Sequence, residues 1–177
     1  MFDFLFRKGK SVEASPAAVA PPPAPATPEK AAPGTAIRFH PELVAELKHD
    51  HQVLLTLFAS IQSAFKEGRL QAVVEHLEAF RTSIQSHLLK ENVRLYIYLE
   101  HQLAGDETSH QLIHDFRHEM DGIGKAVVAF LAKYKDLSVD GNLVASFGRD
   151  LEAVGKVLVD RIQREEETLY PLYAPAY

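Results

Sequence analysis

Residues 70–103 read LQAVVEHLEAFRTSIQSHLLKENVRLYIYLEHQL and predict one long amphipathic helix. Their apolar side chains recur every three to four positions, which is the period of one face of an α-helix. The same face carries His87 and Glu91, which lie about one turn apart. The segment is therefore predicted to be a core element, and its inward histidine and carboxylate are the first candidates for a functional site.

Three further segments show the helical period, and none shows the alternation of a β-strand over a comparable length. We expect one helix over residues 41–67, which ends at Gly68. A second is expected from about residue 106 to about Lys135, and a third from about residue 138 or 140 to 170, where Pro171 ends it. Four long helices joined by short links predict an all-α fold, an antiparallel up-down four-helix bundle. We assign the bundle to residues 37–177.

The first 36 residues differ in composition from the rest of the chain. Seven of the ten prolines fall in residues 11–36, and alanine fills most of the gaps. Proline removes backbone donors and alanine buries little surface, so this segment predicts a disordered linker. Residues 1–10, MFDFLFRKGK, combine apolar and basic side chains, and Phe2–Lys10 is a candidate contact for a membrane surface or a partner protein.

The composition excludes several classes of function. The chain has no cysteine, which rules out disulfides, thiolate metal sites and cysteine catalysis. A formal net charge of −5 argues against nucleic acid as a partner. No segment offers the roughly 20 apolar residues that a membrane-spanning helix needs, so we expect a cytoplasmic protein.

Polar side chains fall on the inward faces of three of the predicted helices. His51 lies in the middle of the apolar stripe of the first helix, and His87 and Glu91 lie on that of the second. Arg161 and Glu165 lie on that of the fourth. Burying a carboxylate without a partner costs several kcal/mol, so these groups must compensate one another or bind an ion. We therefore predict that they form one cluster in the core.

Three motifs together resemble the hemerythrin (HHE) family. They are Asp50-His51, His87-Leu-Leu-Lys-Glu91, and Arg161-Ile-Gln-Arg-Glu165-Glu166-Glu167-Thr-Leu-Tyr-Pro171, and the resemblance covers about residues 41–173. In that family, histidines and carboxylates of the four helices hold two irons, which bind oxygen or nitric oxide or serve iron repair and sensing. The resemblance implies an iron site with a small diatomic molecule as its partner. The ligands that it implies are His51, His87, Glu91 and Glu165.

Two positions depart from the ligand pattern of that family. Arg161 stands where the fourth helix supplies a histidine, and a guanidinium stays protonated and cannot ligate a metal. On the third helix the apolar stripe places Met120 at the ligand position, so that His114 and His118 point outward. A local bulge in the helix would instead turn these two histidines inward. His114 and His118, together with Glu166, are therefore ligand candidates of second rank.

Two functions follow from this pattern. The first is a binding or sensing protein for oxygen, nitric oxide or iron, with iron in a mono- or dinuclear centre. The second is a metal-free interaction module in which Arg161 pairs with Glu91 and Glu165 in place of the metal. Arg94, also assigned to the inward stripe, is a further candidate for an ion pair in the same seam.

An oxygen-activating di-iron oxidase is a third and weaker alternative. It needs a metal and a substrate cavity, and the sequence offers no nucleophile–base pair or phosphate-binding loop that would support another reaction. We interpret Tyr96, Tyr98 and Tyr170 as ordinary packing residues near helix ends.

Overall fold

The computed structural model describes residues 31–175, and the structural statements below concern that range. Its four long helices confirm the predicted all-α four-helix bundle. α1 spans Leu43–Lys66 and α3 spans Glu107–Lys133. α2 comprises an α-helix Leu70–Lys90, a π-helical turn Glu91–Tyr96 and an α-helix Ile97–Gln102. α4 comprises a 3₁₀ turn Gly141–Leu143, an α-helix Val144–Arg164, a π-helical turn Glu165–Leu169 and a 3₁₀ turn Tyr170–Leu172.

Gly68 ends α1 by adopting a left-handed conformation. Its φ angle is +70°, which a residue with a side chain rarely adopts. The amide of Gly68 donates to the carbonyl of Phe65 at 3.0 Å, and that of Arg69 donates to Ala64 at 2.9 Å. These two bonds satisfy carbonyls at the helix end and turn the chain directly into α2.

Two apolar clusters divide the interior of the bundle. One contains Leu54 and Phe80 and extends to Ile162, and the other contains Leu47 and Leu95 among its buried residues. Every helix passes from one cluster to the other, and the residues that fall in the gap are His51 on α1, His87 and Glu91 on α2, Met120 on α3, and Glu165 on α4. A polar layer is thereby enclosed between two apolar ones.

Residues 31–38 form a short turn beside the bundle. Ala31 and Arg38 form an isolated antiparallel bridge, and the amide of Ala32 donates to the carbonyl of Ile37 at 2.8 Å. Ala32 is only 1% exposed, because its small side chain fits into the apolar cluster that contains Leu47. Residues 31–36 fall within the segment that the composition assigns to the linker. The predictions for residues 1–10 and 11–30 lie outside the described residues.

Among residues 31–175, no helix combines the length and the apolar character needed to cross a bilayer.

A glycine of α4 lies against a core aromatic side chain of α1. A Cβ atom added to Gly155 would overlap Cζ of Phe58, whose ring is packed in the core. A Cβ atom added to Gly122, in the middle of α3, would meet no atom within 4 Å. The two positions are matched helical glycines that differ only in the space around them.

We expect Gly155→Ala to lower the free energy of unfolding by about 1–3 kcal/mol, since the Phe58 ring must shift. Gly122→Ala should raise it by roughly 0.5–1 kcal/mol, because alanine is the better helix former. Urea denaturation followed by circular dichroism measures both changes. A stabilising effect of Gly155→Ala would contradict the close contact.

Candidate metal centre

Five polar side chains fill the layer between the two apolar clusters: His51 of α1, His87 and Glu91 of α2, and Arg161 and Glu165 of α4. Their exposed fractions range from 0% to 3%. One ligand atom each from His51, His87 and Glu165 lies within 4.8 Å of the other two. The structure thus brings together the residues that the sequence placed on inward faces.

Each histidine has a carboxylate at its outer ring nitrogen. Nδ1 of His51 lies 2.9 Å from Oε1 of Glu166, and Nδ1 of His87 lies 3.5 Å from Oδ2 of Asp50. The two rings are 4.7 Å apart, centroid to centroid. The hydrogen bond to Glu166 orients the ring of His51 and leaves its Nε2 available, an arrangement that is usual for metal-binding histidines, whereas the buried Nδ1 of His87 has no hydrogen-bond partner among the described residues. Glu166 therefore lies beside the cluster, as a support for His51.

The Nε2 atoms face the two buried carboxylates. Nε2 of His51 is 3.3 Å from Oε2 of Glu165, and Nε2 of His87 is 3.7 Å from Oε2 of Glu91. Oε1 of Glu91 accepts a hydrogen bond from Tyr170, but its buried Oε2 has no hydrogen-bond partner among the described residues. Such an unsatisfied atom costs about 1–3 kcal/mol, a cost that a cation would remove. Two imidazoles and two carboxylates are donors that suit one divalent transition-metal ion.

The pKa values reflect the burial of these groups. Burial, reinforced by the charge of Glu165, raises the pKa of Glu91 to about 8. Burial and the neighbouring His51 lower the pKa of His87 to about 4. For His51, burial acts to lower the pKa, but hydrogen bonds to Glu165 and Glu166 outweigh it and raise the pKa. Both shifts favour the neutral forms of His87 and Glu91, so a metal ion that binds Glu91 competes with its proton.

Arg161 uses all three of its guanidinium nitrogens. Nε donates to Glu165, Nη1 donates to Glu119 of α3 at 3.0 Å, and Nη2 donates to the hydroxyl of Tyr96 at 2.7 Å. Arg161 was predicted to pair with Glu91 and Glu165. It contacts Glu165, and the second carboxylate that it contacts is that of Glu119. Arg161 is therefore a fixed cation within the layer.

Helix α3 contributes no imidazole to the layer. Met120 is 8% exposed and lies inward, as the apolar stripe predicts. His114 and His118 are exposed, and the side chain of His114 is 68% accessible. α3 is α-helical from Glu107 to Lys133, so the bulge that would have turned these histidines inward does not occur. The structure does not bring His114 and His118 to the cluster.

The inward position assigned to Arg94 is wrong. Its side chain is 52% exposed, and its Nη1 lies 3.6 Å from Glu46 at the surface. The reason is the π-helical turn over Glu91–Tyr96, whose wider turn shifts the inward face by one residue. Leu95 and Tyr96, both 0% exposed, take the place that a regular helix would have given to Arg94.

Two tyrosines that we interpreted as packing residues belong to the site. The hydroxyl of Tyr96 accepts from Arg161, and that of Tyr170 donates to Glu91 at 2.9 Å. A signal for both was present in the sequence, because Glu91 and Glu165 are each followed, four and five positions later, by Leu-Tyr. Both repeats begin a π-helical turn, a feature frequent at functional sites.

A four-helix bundle with histidines and carboxylates converging in its core defines the class of bundle proteins that hold a metal between facing helices. Within that class, the profile of the family described as hemerythrin HHE cation binding domain matches residues 42–173. The chain belongs to this family, which confirms the resemblance carried by its motifs. No curated protein and no solved structure matches the chain significantly.

We expect Arg161→Gln to lower the free energy of unfolding by about 3 kcal/mol, because it leaves Glu165 buried without its cationic partner. Arg164, which also pairs with Glu119 but is 51% exposed, is the matched control. Arg164→Gln should change the same quantity by no more than about 1 kcal/mol. Urea denaturation in the presence of a chelator measures both. Equal effects would show that Arg161 is not needed to neutralise the layer.

Proposed function

We propose that this protein binds one iron ion in the polar layer and uses it to bind or sense oxygen, nitric oxide or iron, without catalysing a committed reaction. The residues that would hold the ion are His51, His87, Glu91 and Glu165. The observation that carries the proposal is the convergence of two Nε2 atoms on two buried carboxylates, one of which has an oxygen without a hydrogen-bond partner.

The surrounding residues keep this donor set in place. Glu166 orients the imidazole of His51, Asp50 lies 3.5 Å from Nδ1 of His87, and Arg161 holds Glu165. The apolar clusters on either side exclude bulk water, which strengthens every charge interaction in the layer. An iron ion with this incomplete set of protein ligands supplies open positions at which a diatomic molecule can bind.

A single ion, rather than the pair typical of the family, fits the charges of the layer. With Arg161 in the layer, Glu91 and Glu165 leave one positive charge uncompensated when one divalent ion binds, and three when two such ions bind. Met120 and Arg161 also remove one donor each from α3 and α4. Each of these two residues stands in place of a ligand that a second ion would need.

A metal-free interaction module is the second candidate, and two observations favour it. Arg161 already neutralises Glu165, and the pKa of Glu91, raised to about 8, allows that residue to stay protonated in the core. The layer would then fix the register of the helices without a metal, and a partner protein would contact the surface. Metal content distinguishes the two candidates directly.

Protein purified without chelators from iron-replete cells should contain about one iron per chain, because the layer offers donors for one ion. His87→Ala should reduce the iron content severalfold by removing a ligand, whereas His114→Ala, a change at an exposed histidine of α3, should leave it unchanged. Elemental analysis of the three proteins gives the result. A folded wild type that stays free of iron after anaerobic ferrous loading supports the metal-free module instead.

The role assigned to Glu166 has its own test. Glu166→Gln should weaken iron affinity about 10- to 100-fold, since the carboxylate that orients His51 is lost. Glu167→Gln is the control, because the neighbouring Glu167 is exposed and accepts only from Gln163. Competition with a chromogenic chelator measures both affinities. Equal affinities for the two variants would mean that the contact between Glu166 and His51 does not support the ligand.

A further inference from the structure

Tyr170 places its phenol oxygen among the proposed ligand atoms. The oxygen lies 2.9 Å from Oε1 of Glu91 and 3.2 Å from Nε2 of His51, the nitrogen that faces the cluster. The residue is 3% exposed, and its ring stacks on that of His51 at 5.6 Å with an interplanar angle of 11°. The phenol oxygen therefore lies within hydrogen-bonding distance of two of the proposed ligand residues.

A specific backbone feature directs Tyr170 inward. In a regular α-helix, a residue five positions after Glu165 would point about 140° away from it. Here the amide of Tyr170 donates to the carbonyl of Glu165, which closes a π-helical turn. The wider turn brings Tyr170 back to the face of Glu165. Both oxygen donors of α4 thereby point into the same layer.

We propose that the phenol oxygen of Tyr170 is itself a ligand of the iron, bound as the phenolate. This inference rests on the proposed function and adds a fifth donor to its four. An anionic oxygen suits ferric iron, and its charge helps to offset the trivalent ion beside Arg161. Ligation replaces the phenol proton with the metal ion, so one proton is released for each tyrosine bound.

The metal-free protein keeps Tyr170 protonated. Burial and the nearby carboxylates Glu91 and Glu165 raise the pKa of Tyr170 above its usual range, and the hydroxyl donates to Glu91. A bound cation reverses this effect, because the largest local charge is then positive. Tyr170 is thus a hydrogen-bond donor before loading and an anionic ligand after it.

Tyr96 occupies the corresponding place on α2 but is engaged differently. Its hydroxyl accepts a hydrogen bond of 2.7 Å from Nη2 of Arg161. A guanidinium bound to this oxygen keeps a metal ion away from it, since both are cations. The inference therefore assigns only Tyr170 to the metal.

The absorption spectrum and the resonance Raman spectrum of the ferric protein test this assignment. The wild type should show a visible charge-transfer band from phenolate to iron, with enhanced ring vibrations of tyrosine. Tyr170→Phe should bind iron but lose the band and the vibrations, and its loading should release one proton fewer than that of the wild type. Tyr134→Phe, a buried tyrosine bonded to Asp150 at 2.6 Å, is the control and should keep both signals.

The outcomes separate the two proposals. A wild type that binds no iron overturns the proposed function and this inference together. Iron binding without phenolate signals in the wild type, or signals that persist in Tyr170→Phe or vanish in Tyr96→Phe, overturns the inference alone. Wild-type protein from cells grown with ring-deuterated tyrosine provides a test that does not depend on whether a variant folds. Its enhanced vibrations must shift if a tyrosine is bound to iron.

Discussion

The rest of the structure depends on one constraint: a layer of ionisable groups is sealed between two apolar clusters. Glu91 and Glu165, at 0% and 1% exposure, cannot obtain water as a partner. Each therefore needs a proton, a hydrogen bond or a cation. Glu165 has Arg161 and His51, whereas Glu91 has one bond from Tyr170 and one oxygen without a partner. The part of the layer around Glu91 is thus where a cation stabilises the fold most.

Two π-helical turns set the chemistry of this layer. Each begins at a buried carboxylate and brings a tyrosine, five positions later, onto the same face. The two turns differ in the residue four positions before the carboxylate. On α2 this residue is His87, and on α4 it is Arg161. The guanidinium of Arg161 donates to the hydroxyl of Tyr96, whereas the hydroxyl of Tyr170 lies next to Nε2 of His51.

Arg161 gives this member of the hemerythrin family an asymmetric site. On the side of Arg161, ion pairs with Glu165 and Glu119 provide a permanent internal cation. Glu165 also converges with His51 and His87, while Glu91 keeps a buried oxygen without a hydrogen-bond partner among the described residues. The stability of the bundle and its affinity for metal are then partly separate properties. The fixed charge of Arg161 offsets carboxylate charge in the layer without a metal ion.

The sequence by itself determined the bundle and the inward residues. The period of residues 70–103 and of the other three segments fixes which face is buried, and the apolar stripe of α3 correctly predicted Met120 inward and His114 outward. A fixed turn of 100° per residue carries that prediction only while the helix is regular. Tertiary structure decided the position of Arg94, the contacts of Tyr96 and Tyr170, which the repeated spacing from Glu to Leu-Tyr only marks, and the pairing of Arg161 with Glu119. Each of these depends on a π-helical turn or on a neighbouring helix, neither of which a periodic pattern within one segment can reveal.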